Sequence, residues 1–205
     1  RSDFYFKGSR DYINAPSIFE ALRRAALNSL GLEQGVVRVR TFKVNRLVTQ
    51  NYRIRGFSGS DLDDPTRTVD PIAEMACSVE GKKVFVGLYD EAPSIIEDRR
   101  PSTEKELVNA VTLDAPFSGT VSISGIVDND TLIEAVTEAN KQIHILSLPR
   151  IEDPSAYSIQ FVYCRDYVCP AEVPAGRGQI VIHNTHLHEA GDRRYTLNSL
   201  DLDMG

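Results

Sequence analysis

One local pattern occurs twice along this chain. Residues 2–57 run as a strand, a polar turn, an amphipathic helix and a return strand: SDFYFKGSRDYINAPSIFEALRRAALNSLG, then VVRVRTFKVNRLVTQNYRIRGF. Residues 119–182 run the same way: GTVSISGIVDNDTLIEAVTEANKQIHIL, then YSIQFVYCRDYVCPAEVPAGRGQIVI. Each copy closes on a hairpin, MACSVEGKKVFVGLYD in the first and QIVIHNTHLHEAGDRRYTLNSLDLD in the second. Each helix has one apolar stripe to bury, and an antiparallel sheet is the partner at hand. The pattern predicts an α+β chain with one unit over 1–90, a linker over 91–114 and a second unit over 115–205. Each unit is a helix packed on antiparallel strands of one shared sheet. The best direct match lays Phe42, Arg46 and Val48 over Phe161, Arg165 and Tyr167 or Val168, so element order carries the repeat more than identity does.

The first helix is expected over 15–30. Asn14 is a good N-cap, Pro16 is tolerated in a first turn, and Gly31 is a natural stop. Ile18, Leu22, Ala25 and Ala26 recur at helical spacing, with Glu20, Arg23, Arg24 and Asn28 on the polar side. The second helix is expected over 132–142, where Thr131 and Glu134 have capping-box spacing. Strands are expected at 4–6, 37–41 and 121–126. Further strands flank a Glu80-Gly81-Lys82 turn (75–80 and 83–89) and a 189–192 turn (179–188 and 193–203). Residues 58–72 read as a polar excursion, and 104–111 as a short connecting helix.

Charge bears on partners. The chain of 205 residues has a formal net charge of −6. Residues 1–100 hold 16 Lys/Arg and 14 Asp/Glu, against 7 and 15 in the remainder. An acidic chain is a poor candidate for broad nucleic-acid binding. A local exception is Arg38, Arg40, Lys43, Arg46, Arg53 and Arg55, six cations in eighteen residues. Arginine forks match phosphate geometry, and a solvated sheet face is the alternative. No run approaches the roughly 20 apolar residues of a membrane span. Cys77, Cys164 and Cys169 are an odd number in a chain this long and make no disulfide framework. Reduced thiols and a cytoplasmic location are expected. Cys164 and Cys169, five apart, face opposite sides of a strand unless it bends.

His183, His186 and His188 form H-x-x-H-x-H. His186 and His188 share a strand face at metal-ligand spacing, while His183 faces away unless the strand bulges. The expectation here is no metal, with a proton-shuttling histidine or a solvated face as the alternatives. No catalytic Ser/His/Asp motif, phosphate-binding loop or dinucleotide fingerprint is present, and no cofactor is expected.

A strand, a buried helix and then antiparallel strands wrapping that helix resembles the hotdog fold. Two copies in one chain resemble a double-hotdog protein, in which tandem units replace the usual dimer. The closest local echo is Asp11-Tyr12-Ile13-Asn14-Ala15 followed by Phe19-Glu20. It is similar to the His-Val-Asn-Asn-Ala stretch, with a glutamate downstream, that opens the central helix of many hotdog acyl-thioesterases. Asn14 and Ala15 match that stretch; Asp11 stands where the family has histidine, and the family's upstream aspartate falls on Gly8. Asp128-Asn129-Asp130 resembles part of the hydratases' Asp-x-Asn-x-x-His arrangement, with no histidine at the matching place.

The resemblance implies binding of an acyl thioester on coenzyme A or an acyl carrier protein, with hydrolysis or dehydration. Asp11, Asn14 and Glu20 would form the catalytic set, with the helix N-terminus polarising the carbonyl and Asp11 or a histidine moving a proton. Arg38, Arg40 and Arg46 would hold the carrier's phosphates. The competing expectations are a non-catalytic hotdog-derived scaffold or carrier-protein-binding subunit, and a small metal-binding protein. No nucleic acid or membrane partner is expected, and a homodimer is left open.

Overall fold

The computed structural model describes residues 4–59, 70–148, 163–190 and 193–204, with backbone alone at Ala92, Glu189, Ala190 and 193–195. The chain is α+β. It divides into two units, Arg1–Ser102 with Gln160–Glu172, and Thr103–Ile159 with Val173–Gly205.

The first unit begins with β1 (Phe6–Lys7) and α1 (Ala15–Asn28). β2 (Val37–Val44), β3 (Asn51–Ser58), β4 (Ala73–Val79) and β5 (Lys82–Ser94) follow, then β6 (Arg99–Arg100). The second unit opens with a 3₁₀ turn at Glu104–Leu107. It continues through β7 (Val108–Ala115), β8 (Ser118–Ile126), α2 (Asn129–Ser147), β10 (Gly176–Ala190) and β11 (Arg193–Asp203). Between α2 and β10 runs β9 (Tyr163–Cys169), which pairs antiparallel with β2 and belongs to the first unit.

Among the described residues the expected shared sheet is not formed. The described strands fall into a five-stranded sheet ordered β3-β5-β4-β2-β9, a four-stranded sheet ordered β11-β10-β8-β7, and a parallel pair of β1 with β6. The segment expected as the second copy's return strand is an edge of the first unit's sheet instead. Residues 91–114, expected as a linker, carry the end of β5, β6, the 3₁₀ turn and most of β7. The helix expected over 104–111 stops after Leu107, where Val108, Val111 and Thr112 favour a strand. The 58–72 excursion lies largely outside the described residues.

α1 packs on β2, β3, β4 and β5. Ile18, Leu22 and Ala26 are buried as their spacing predicts, and Phe19 and Leu27 join them. They meet Val37, Val39, Phe42, Met75, Val79, Val84, Val86 and Leu88, all essentially sealed from water. Phe19 stands edge-on to Phe42, ring centroids 5.1 Å apart. Each such side chain contributes about 1.5–3 kcal/mol by leaving water. The β4–β5 hairpin turns on Glu80 and Gly81, both at positive φ (50° and 77°), as a two-residue turn matching strand twist requires.

α2 lies over β7, β8 and β10. Its stripe, Leu132, Ala135, Val136, Ala139 and Ile143, closes on Val121, Ile123, Ile126, Ile180 and Ile182. The helix is longer than expected at both ends. Asp128, not Thr131, is the N-cap; its carboxylate accepts from the Thr131 N–H at 2.8 Å, and Thr131 Oγ1 accepts from the Asp128 N–H at 3.1 Å. Gly119 lets helix and sheet meet: a Cβ there would lie 2.2 Å from the Thr112 carbonyl oxygen and 2.6 Å from Ile143 Cδ1.

Candidate functional site

The chain just before α1 carries Asp11 and Asn14. Asp11 is exposed, and Ile13 is buried with its N–H donating to the Val48 carbonyl at 2.7 Å. Asn14 occupies the N-cap position, but its side chain does not cap the helix; its Oδ1 accepts from Ser17 Oγ at 2.6 Å.

Glu20 is not on a solvated face. Only 6% of its side chain is exposed, and the Arg23 guanidinium grips it at both ends: Nε to Oε2 at 2.6 Å and Nη2 to Oε1 at 2.7 Å. Arg24 Nε adds a third contact at 2.7 Å. A carboxylate engaged three times by guanidinium is fixed in one orientation, which suits a structural anchor better than a proton shuttle. The Glu-x-x-Arg-Arg spacing was a readable signal for this cluster.

Beneath α1 lies a set of groups that spacing alone kept apart. Asp166 adopts φ 54°, bending β9. Cys164, Tyr167 and Cys169 therefore stand opposite Phe42, Val39 and Val37, three residues of the helix-facing side. The bend removes the expectation that Cys164 and Cys169 face apart. Tyr167 meets Phe19 edge-on at 5.8 Å. Burial pushes Cys77 up to about 11 and Cys164 up to about 12, the latter helped by Asp166. Cys169 also reaches about 12, chiefly through burial, with Arg23 pulling the other way. Burial likewise raises Tyr167. These thiols stay protonated at neutral pH and are poor nucleophiles.

The six-cation cluster separates into two groups. Arg46 lies 3.9 Å from Asp90, while Arg53 and Arg55 reach Glu91 at 3.6 Å and 2.5 Å. Arg38, Arg40 and Lys43, with Lys82 and Lys83 from the β4–β5 hairpin, are exposed and have no carboxylate within 4.0 Å among the described residues. Arg38 stands beside Ser78, and Ser78 beside Lys83, in one row across β2, β4 and β5 on the side away from α1. Two strand spacings put the cations about 10 Å apart with a hydroxyl between them. Arg38 and Ser78 also line a cleft of about 430 Å³ with Gly35, Val36, Glu80, Gly81 and Ala171. Gly35 abuts Leu27 in the last turn of α1. The cleft is thus about 20 Å from Asn14 along the helix, and Asp11, Asn14 and Glu20 are not among its lining residues.

In the second unit the register of β10 shifts between Asn184 and His186, leaving Thr185 unpaired in the ladder. The bulge swings His183, His186 and His188 onto one exposed face. The His186 and His188 rings are 4.0 Å apart, and His183 Nε2 is 3.8 Å from Asp201 Oδ2. Among the described residues no group of three or more His, Cys, Asp and Glu is placed to hold a metal ion. Asp128, part of the other candidate loop, is spent on capping α2. No helix among the described residues is long and apolar enough to cross a membrane.

No family model, curated protein or solved structure matches the chain.

Proposed function

We propose that the first unit is a hotdog-like binding module that takes the phosphate-bearing carrier of an acyl thioester, coenzyme A or an acyl carrier protein, without acting on the acyl group. Its element order supports the fold: a strand, a buried helix, then four antiparallel strands onto which the helix packs. The tandem form of the fold finds less support, because α2 sits between two strand pairs rather than ahead of four strands. The observation that carries the function is the Arg38–Ser78–Lys83 row, of which Arg38 and Ser78 line the cleft. Cations without carboxylate partners are costly to crowd on one face, and a phosphate relieves them. Arg40 and Lys43 extend that field; Arg46, shared with Asp90, contributes less.

Hydrolysis or dehydration at Asp11 and Asn14 is the second reading. It is favoured by an exposed carboxylate beside a helix start that the Asn14 side chain leaves uncapped. Calorimetric titration with coenzyme A and with an acyl carrier protein, at low and high salt, tests both. Binding should weaken with salt, and Arg38→Glu should reduce affinity about tenfold while Arg53→Glu changes it little. An Arg38→Glu protein that binds as wild type, or a wild type that binds neither carrier, rejects the first reading. Release of free thiol that is lost in Asp11→Ala establishes the second.

A further inference from the structure

We propose that the chain forms a two-fold homodimer in which β11 pairs antiparallel with β11 of a second copy, joining the two four-stranded sheets into one of eight strands. Among the described strands the two larger sheets end on four edges, and two of them are interrupted. β7 shifts register twice against β8 and β9 bends at Asp166, while β3, whose shift against β5 arises from extra residues on β5, carries the exposed charge of Arg53. Such irregularities spoil an edge as a template for another strand. β11 has none: it runs eleven residues, and the only shift in its pairing with β10 arises from the extra residue on β10. It contains no proline and no lysine, the residues that guard exposed edges.

The strand is also held in place and apolar. Asn198 Nδ2 donates to Asn140 Oδ1 of α2 at 2.6 Å, and Thr196 Oγ1 lies 2.6 Å from His144 Nε2. Leu197, Leu200 and Leu202 remain 43%, 38% and 41% exposed. Leu200 and Leu202 stand opposite the sealed Ile182 and Ile180, so they extend the apolar side of the sheet beyond the reach of α2.

The sequence of the strand selects the occupant. Read as RRYTLNSLDLD, it is basic at one end and acidic at the other. Antiparallel pairing with itself over its full length centres on Asn198. It sets positions 193 and 194 of one copy opposite 203 and 202 of the other, so each arginine end meets an aspartate end. Positions of like parity then face each other, which keeps the leucine-bearing sides of both sheets together. A parallel partner of the same sequence would set like charges side by side.

Sedimentation velocity of the full chain at rising concentration should show a monomer–dimer equilibrium. Asp203→Arg and Arg193→Asp should each weaken the dimer about tenfold, and the double variant should recover it, because the charges then meet in exchanged positions. At the two-fold axis, facing Cα atoms are about 4.5–5.5 Å apart, within disulfide reach. Asn198→Cys should therefore cross-link copies under mild oxidation, while Thr112→Cys on the interrupted β7 edge should not. Circular dichroism confirms that each variant is folded, and the charge exchange decides the matter where Asn198→Cys is not. A wild type that stays monomeric throughout, a dimer indifferent to Asp203→Arg, or cross-linking through position 112 in place of 198 overturns the proposal.

Discussion

The two helices carry the same device on different surroundings. In α1, Glu20 is buried and reaches Arg23 and Arg24; in α2, Glu138 is 4% exposed at its side chain and reaches Lys141 at 3.1 Å and Gln142 at 2.6 Å. Both place a buried carboxylate three and four residues ahead of its donors. The difference lies in the donor. Arg23 is itself 12% exposed and gives two parallel bonds, whereas Lys141 is 31% exposed and Gln142 is neutral. An ion pair gains its grip from being dry on both sides, and losing one half of it strands the other.

That contrast can be broken most directly by Glu20→Gln and Glu138→Gln, compared by urea unfolding. Removing the charge that faces Arg23 should cost about 3 kcal/mol. Glu138→Gln should cost about 1 kcal/mol, since Lys141 can turn to water. Equal costs would mean that the burial of the arginine does not matter.

The helix starts differ in the opposite sense. Asp128→Ala should cost about 1 kcal/mol because it removes a reciprocal cap. Asn14→Ala should cost only a few tenths, because Asn14 does not cap α1. A larger loss at Asn14 in the same assay would show that its bond to Ser17 carries the helix start.

The third contrast is chemical. All three cysteines belong to the first unit. Their folded pKa values are raised, so the stability they provide is complete below the ordinary value of 9.0. It falls as pH climbs through about 11 for Cys77 and about 12 for Cys164 and Cys169, because the unfolded thiols ionise first. Urea midpoints should decline from pH 9 upward, and a Cys77→Ser/Cys164→Ser/Cys169→Ser protein should show a shallower decline. Native thiols should also label slowly at pH 8. Fast labelling there would mean that the space under α1 opens readily.

Local signals read well from the sequence, and pairing read poorly. Ile18, Leu22 and Ala26 announced α1, and Glu80-Gly81 announced its hairpin, because period and turn chemistry are properties of a few consecutive residues. The sheet partner of β9 was illegible for the opposite reason: nothing in Tyr163–Cys169 names Val37–Val44 as its neighbour. Parity arguments failed where a bulge or a positive φ interrupted the strand. Thr185 turned His183 onto the face of His186 and His188, and Asp166 turned Cys164 onto the face of Cys169. Of the candidate site, Arg38 and Arg40 are exposed as alternation along a strand predicts, while Glu20 was misplaced because amphipathic reasoning puts glutamate in water unless a guanidinium is seen to follow it inward.

The return of β9 to the first sheet sets an order of events during synthesis. Val37 and Cys169 are adjacent in the sheet yet separated by most of the chain. The ribosome must release α1, α2 and β1 to β8 before the first unit can acquire β9. Until then β2 is itself an open edge, backed by Val37, Val39 and Phe42 and able to recruit a strand from another nascent chain. Closing so long a loop is slow compared with hairpin formation. The unit that begins first thus stays unfinished until Cys169 has emerged, and the interval in which β2 waits for β9 is when this protein is most exposed to aggregation.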